Sequence, residues 1–196
     1  MQPHNVMDKP YSKRLVKPAL FLDRDGVIIH NRANYVRSWE DVKIYPYSLP
    51  AIRQLSPHFS IFIITNQSPI GRGLLEEQEI IQINTKLKNL IIEAGGRVDQ
   101  IYYCPHAPQD NCSCRKPKPG MIQQAAADYK VDLLSSWLIG DAISDIQAGI
   151  NAGIPNNILL QTGRGKKQLL KSPPGLNYLI ETNLRSAAKK ILSTLS

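Results

Sequence analysis

Cysteine is scarce in this chain: there are three among 196 residues. An odd count with no apolar N-terminal leader argues against a secreted disulfide framework, so a reducing, cytoplasmic location is expected. No apolar run approaches the roughly 18 residues that a membrane-spanning helix needs. The sequence has no P-loop, and aromatic and basic residues do not interleave along one face, which weighs against a role on nucleic acid. Neither an internal repeat nor a low-complexity segment is present. Acidic residues are also few, 16 against 24 Lys and Arg, which leaves a formal charge of +8. Such a surplus favours anionic partners, phosphorylated metabolites among them, and fits a merely solvated basic surface equally well.

The three cysteines are not scattered. They fall in Cys104-Pro105-His106 and Cys112-Ser113-Cys114, and Arg115-Lys116-Pro117 follows directly. Three thiols and an imidazole at this spacing supply the four ligands of a closed tetrahedral Zn²⁺ site, so Cys104, His106, Cys112 and Cys114 are expected to hold a structural zinc. The basic pair at its end suggests a metal loop that shapes an anion site.

Apolar runs at Pro18–Leu22, Ser60–Thr65, Val98–Tyr103, Trp137–Gly140, Asn157–Gln161 and Leu176–Ile180 read as strands. Between them, Ile80, Ile83, Leu87, Leu90, Ile91 and Ala94 make a helical core stripe. Met121, Ile122, Ala125, Ala126 and Tyr129 mark another helix, opened by Pro119-Gly120. A third is expected after Asp141, with Ser144 as its N-cap and Gly153 closing it. This alternation predicts an α/β fold with a doubly wound, mostly parallel sheet and ligands at the carboxyl ends of its strands. Residues 1–17, carrying Lys9, Lys13, Arg14 and Lys17, read as a flexible basic arm, and 18–196 as a single domain containing the metal loop, 104–116. The polar, aromatic stretch Val27–Pro46 is expected to form a flap.

Chemistry-bearing residues gather where that rule puts a site. Alternation along the chain turns Asp23 and Asp25 to one side, and Gly26 permits a sharp turn after them. Asp141 closes another strand, with Asp145 four residues on. Converging carboxylates suit a hard cation, best matched by Mg²⁺. Thr65-Asn66-Gln67-Ser68 adds hydroxyl and amide donors and Lys116 a positive charge, the parts that phosphoryl transfer requires.

These four segments resemble the motifs of the haloacid dehalogenase (HAD) superfamily: Asp23-Arg24-Asp25-Gly26, Thr65, Lys116 and Gly140-Asp141 with Asp145. The stretches FLDRDG, TNQSPIGRG, the Cys–His loop and CRKPKPGM narrow the resemblance to the D-glycero-D-manno-heptose-1,7-bisphosphate 7-phosphatases. The resemblance implies a Rossmann-like core with no large cap domain. It implies that Asp23 is the nucleophile and Asp25 the acid and base, with Mg²⁺ held by Asp23, the Asp25 carbonyl and Asp141. Thr65 and Lys116 would stabilise the phosphoryl group, with Asn66, Gln67 and Ser68 beside them. Arg115, Arg32 and Tyr35 would contact the sugar phosphate, and Asp145 would orient Lys116 or a metal-bound water. The implied partner is a small phosphorylated sugar; a monomer without nucleic acid or membrane is expected. Two departures touch specificity: Ala142 stands where relatives have a basic contact, and Pro69 where they have glycine. Histidinol-phosphate phosphatases share the short metal loop and form the rival reading. A DNA 3′-phosphatase and a non-catalytic zinc module rank behind it.

Overall fold

The computed structural model describes residues 17–195. In chain order the elements are β1 (Lys17–Leu22), α1 (Ser48–Leu55), β2 (Ser60–Asn66), α2 (Ser68–Gly71), α3 (Glu77–Glu93), β3 (Gln100–Cys104), α4 (Gly120–Tyr129), β4 (Val131–Gly140), α5 (Ile143–Asn151), β5 (Asn156–Leu160), α6 (Gly165–Leu169), β6 (Leu179–Glu181) and α7 (Leu184–Leu192). The strands form one sheet in the order β3-β2-β1-β4-β5-β6. Every pairing in it is parallel.

The two-residue period of a strand explains how so apolar a sheet is covered. Leu20, Leu22, Ile61, Ile63 and Ile139 point to one face, where they pack with residues of α1, α3 and α7. Ala19, Phe21, Phe62, Ile64 and Leu138 point to the other, against α4 and α5. Strands buried on both faces need continuous apolar runs, as parallel sheets do. The chain reverses its direction of winding between β1 and β4, so a crevice opens beyond their carboxyl ends.

Several boundaries differ from the sequence reading. Lys17, assigned there to the arm, opens β1, and the rest of the arm lies outside the described residues. Strand β4 begins at Val131, six positions before Trp137, because its first half pairs with Lys17 and Pro18 through a register shift. The last strand is shorter than expected and begins at Leu179. Ser144 does not cap α5. The helix starts at Ile143, and the Asp145 carboxylate accepts from the backbone N–H groups of Asp141 (3.2 Å) and Ala142 (3.0 Å), so no hydroxyl cap is required. The stretch expected to be a flap is anchored at its ends: Val27, Ile28 and Ile29 are fully buried, and Ile29 bridges Ile44. Its middle carries Arg32 and Tyr35 to the crevice.

Candidate active site

Asp23 follows β1 immediately, and its N–H donates to the Ile139 carbonyl at 2.9 Å. The sheet thus sets the Asp23 carboxylate beside those at the end of β4. Lys116 reaches the same point from the loop after β3. Its ammonium donates to Asp23 Oδ1 (2.6 Å), Asp145 Oδ1 (2.7 Å) and the Ile64 carbonyl (2.8 Å), which uses all three of its N–H bonds. Burial pushes the Asp23 carboxyl up to about 8, with the Lys116 charge opposing the rise. Burial acts on Lys116 in the opposite sense, but Asp145 and Asp23 outweigh it and hold the ammonium above its ordinary range.

Asp25 is aimed by its neighbours. Arg24 is 1% exposed, and its guanidinium donates to Asp25 Oδ2 at 3.0 Å and to Asn84 Oδ1 of α3 at 2.9 Å. Gln67 and Thr65 add donors to the same Asp25 oxygen at 3.3 and 3.4 Å. Gln67 also donates to Thr65 Oγ1 at 2.8 Å, so the tip of β2 and the Asp25 carboxylate form one network.

Asp141 is fully buried, and burial, then the Asp145 charge, raises its pKa against the pull of Arg164. Its Oδ2 accepts the backbone N–H of Arg164 at 2.7 Å and its Oδ1 the guanidinium at 3.3 Å. Oxygens of Asp23, Asp141 and Asp145 lie within 4.8 Å of one another. Nearby, Asn31 Oδ1 is buried with no donor, while Asn31 Nδ2 donates to the Asp25 carbonyl at 3.3 Å. A Cβ at Gly26 would fall 2.1 Å from Asp141 Oδ2 and 2.4 Å from Asn31 Oδ1. Gly26 has φ +96°, so both space and backbone require glycine there. Buried oxygens converging in excess of the donors around them, one of them without any donor, fit a hard divalent cation. Asp145 accepts from Lys116 and two backbone N–H groups, Asp23 from Lys116, and Asp141 from Arg164.

At the end of β3, the sulfurs of Cys104, Cys112 and Cys114 lie 3.2 to 3.5 Å apart. His106 Nδ1 is 3.6 Å from Cys104 Sγ and 3.3 Å from Cys114 Sγ. All three thiols are free. Four soft or borderline ligands facing one point fit a tetrahedral zinc. The loop is tied to the tip of β2: Asn66 exchanges hydrogen bonds with the Lys116 backbone at 3.1 and 3.2 Å, and Arg115 donates to Ser68 Oγ at 2.7 Å.

Most of the catalytic candidates line a cleft of about 710 Å³; Asp141 and the four Cys and His side chains of the metal loop do not. It contains the residues singled out from sequence around Asp23, Asp25, Thr65, Lys116 and Asp145, together with Arg32, Tyr35 and Arg115 of its outer wall. Sequence reasoning missed Arg24, Asn31, Arg72 and Arg164, which line it too. One signal was available for Arg164, since Thr162-Gly163-Arg164-Gly165 directly follows the carboxyl end of β5.

A HAD-hydrolase-like family model matches residues 113–187. The D-glycero-beta-D-manno-heptose-1,7-bisphosphate 7-phosphatase of Pseudomonas putida is 37% identical over 174 residues, covering 88% of this chain and 98% of its own. The D-glycero-alpha-D-manno-heptose-1,7-bisphosphate 7-phosphatase of Photorhabdus laumondii is 37% identical over 179 residues, with 87% and 94% covered. The crystal structure of the D,D-heptose 1,7-bisphosphate phosphatase from Bordetella bronchiseptica, complexed with magnesium and phosphate, superposes with a TM-score of 0.84 at 36% identity. It covers 90% of this chain and 99% of that one.

Proposed function

The chain belongs to the HAD-like heptose-1,7-bisphosphate 7-phosphatases, and from that membership we propose that it removes the 7-phosphate of a D-glycero-D-manno-heptose 1,7-bisphosphate, with Asp23 as the nucleophile. The observation that carries this reading is the buried Asp23 carboxylate held at 2.6 Å by Lys116, at the base of a cleft walled by arginines.

The Asp23 carboxylate attacks phosphorus and the bond from phosphorus to the sugar oxygen breaks. Asp25 gives its proton to the departing oxygen, leaving an aspartyl-phosphate. Asp25, now ionised, takes a proton from water, which attacks the same phosphorus. That step releases inorganic phosphate and restores Asp23. The three donors on Asp25 fix the direction in which its proton travels. Lys116, Thr65 and the donors of Asn66, Gln67 and Ser68 offset the charge on the phosphoryl oxygens.

Asp23, Asp141 and the Asp25 carbonyl would hold Mg²⁺, which supplies charge neutralisation at the phosphoryl group. Cys104, His106, Cys112 and Cys114 would hold Zn²⁺, whose part is to fix the loop bearing Arg115 and Lys116. Among the described residues the Arg115 guanidinium has uncharged partners, Ser68 and the His106 carbonyl, and its planar fork would grip the sugar's second phosphate. Arg32 and Tyr35 would contact the sugar from the opposite wall. No helix among the described residues is long and apolar enough to cross a membrane. A metabolic phosphate ester as substrate and three thiols outside any disulfide support a cytoplasmic site of action.

Steady-state kinetics with Mg²⁺ on both anomers of the heptose 1,7-bisphosphate and on histidinol phosphate test the reading. A higher kcat/KM for one bisphosphate anomer supports it; faster turnover of histidinol phosphate overturns it.

A further inference from the structure

We propose that Arg164 is an exchangeable counter-ion, which covers Asp141 when no metal is bound and turns into the cleft to bind the second phosphate of a bisphosphate when one is. The inference rests on the function proposed above and adds a residue that determines specificity within it.

Each carboxylate at the base of the cleft has a cationic partner. Arg24 serves Asp25, Lys116 serves Asp23 and Asp145, and Arg164 serves Asp141. The first two cations are buried and cannot leave without exposing an unpaired charge. Arg164 differs. Its side chain is 57% exposed while Asp141 is fully buried, and among the described residues its guanidinium makes one hydrogen bond, at 3.3 Å. The main chain holds the loop independently, through the Arg164 N–H on Asp141 Oδ2 (2.7 Å) and Thr162 Oγ1 on the Gly26 carbonyl (2.6 Å). The backbone is therefore pinned whichever way the side chain points.

Asp141 is also one of the oxygens suited to the divalent cation. A dication held by Asp141 would compete with the guanidinium for that carboxylate and repel it at short range. The displaced side chain remains on the wall of the cleft, among the groups that face the substrate. Of the other arginines on that wall, Arg32 is paired with Asp41 at 3.1 Å, and the Arg72 side chain makes no hydrogen bond to any described residue, its backbone N–H donating to the Ser68 carbonyl. A released Arg164 raises the number of cations available to a second phosphate just when the first is being engaged at the metal. Metal loading and bisphosphate binding are coupled through one side chain, and the coupling must be reciprocal.

The test uses the full chain with Arg164→Met and Arg164→Lys, both of which keep the backbone contact. Isothermal titration of the metal-free proteins with Mg²⁺ reads the competition directly. The Met variant should bind Mg²⁺ several-fold more tightly than wild type, whereas a purely structural prop would leave the affinity unchanged or weakened. The ratio of kcat/KM for heptose 1,7-bisphosphate to that for heptose 7-phosphate reads the second role. It should fall roughly tenfold in the Met variant, the loss of one charge-assisted contact, and be largely restored by Lys. Unchanged or weaker Mg²⁺ binding in Arg164→Met overturns the proposal, and so does an unchanged substrate ratio. A wild-type protein that does not prefer the bisphosphate refutes the proposed function itself, and the inference falls with it.

Discussion

The Lys116 ammonium lies 2.6 Å from Asp23 Oδ1, joining two side chains that are 93 positions apart in the sequence and almost wholly buried. The fold brings them together by placing the end of β1 beside β2, onto whose tip Asn66 fastens the Lys116 backbone. A buried pair of this kind is costly to break from one side, because the remaining charge has no water to turn to.

Lys116→Met should accordingly lower unfolding free energy by about 3 kcal/mol near neutral pH, since Asp23 and Asp145 lose their shared cation. Turnover should fall on the order of 10²-fold or more, as when an oxyanion donor is removed. Urea unfolding and steady-state rates measure the two effects. A variant as stable and active as wild type would contradict both roles of Lys116.

Asp23→Asn changes the chemistry and little else. Asparagine has nearly the same shape, and Lys116 keeps Asp145 and the Ile64 carbonyl as acceptors. Turnover should fall by at least about 10³-fold while melting stays within a few degrees of wild type. Appreciable residual activity would remove Asp23 from the role of nucleophile.

Much of this arrangement is legible in the sequence because it depends on short-range patterns. Apolar runs that stop at Asp23, Thr65 and Asp141 disclose both the strands and the ends where chemistry sits. The start of α5 was assigned to Ser144 because Asp145 reads as a residue that orients Lys116 or a metal-bound water, whereas its side chain also satisfies two backbone N–H groups. Helices α1 and α7 escaped notice. Ser48–Leu55 contains a proline, and the core stripe of Leu184–Leu192 rests on two alanines, Ala187 and Ala188, which look unremarkable until they pack. Arg24 and Arg164 were missed for another reason. An arginine in a motif reads as a surface charge, and only the tertiary structure shows one of them fully buried against Asp25 and Asn84, the other resting on Asp141.

The raised carboxyls make the metal's contribution depend on pH in a definite direction. Burial raises Asp23 to about 8 and lifts Asp141 in the same sense, so the metal-free folded chain binds more protons than the unfolded chain between about pH 4 and pH 8. Its stability from these groups is present in acid and declines as pH rises through that window. Mg²⁺ requires the ionised forms, so its stabilising effect must grow over the same range. Melting with and without Mg²⁺ at about pH 5.5 and about pH 8 should show the larger shift at the higher pH. Equal shifts would mean that these carboxyls are already ionised throughout.

Cys112→Ser separates the loop's structural role from the chemistry. Cys112 lies 3.5 Å from Cys104 and 3.4 Å from Cys114, so its loss opens one corner of the proposed zinc tetrahedron. Because structural zinc contributes folding free energy, zinc content and melting temperature should both fall. Arg115 and Lys116 follow Cys114 directly, so the same change should raise KM for the bisphosphate through Arg115 and lower kcat through Lys116. An Arg115→Met variant with its cysteines intact should keep its zinc and show the KM effect alone. Metal analysis, melting and kinetics on the two variants decide the matter. Full zinc content and unchanged melting in Cys112→Ser would remove Cys112 from the ligand set. A KM effect in Arg115→Met accompanied by zinc loss would show instead that the arginine acts through the metal loop rather than on the substrate.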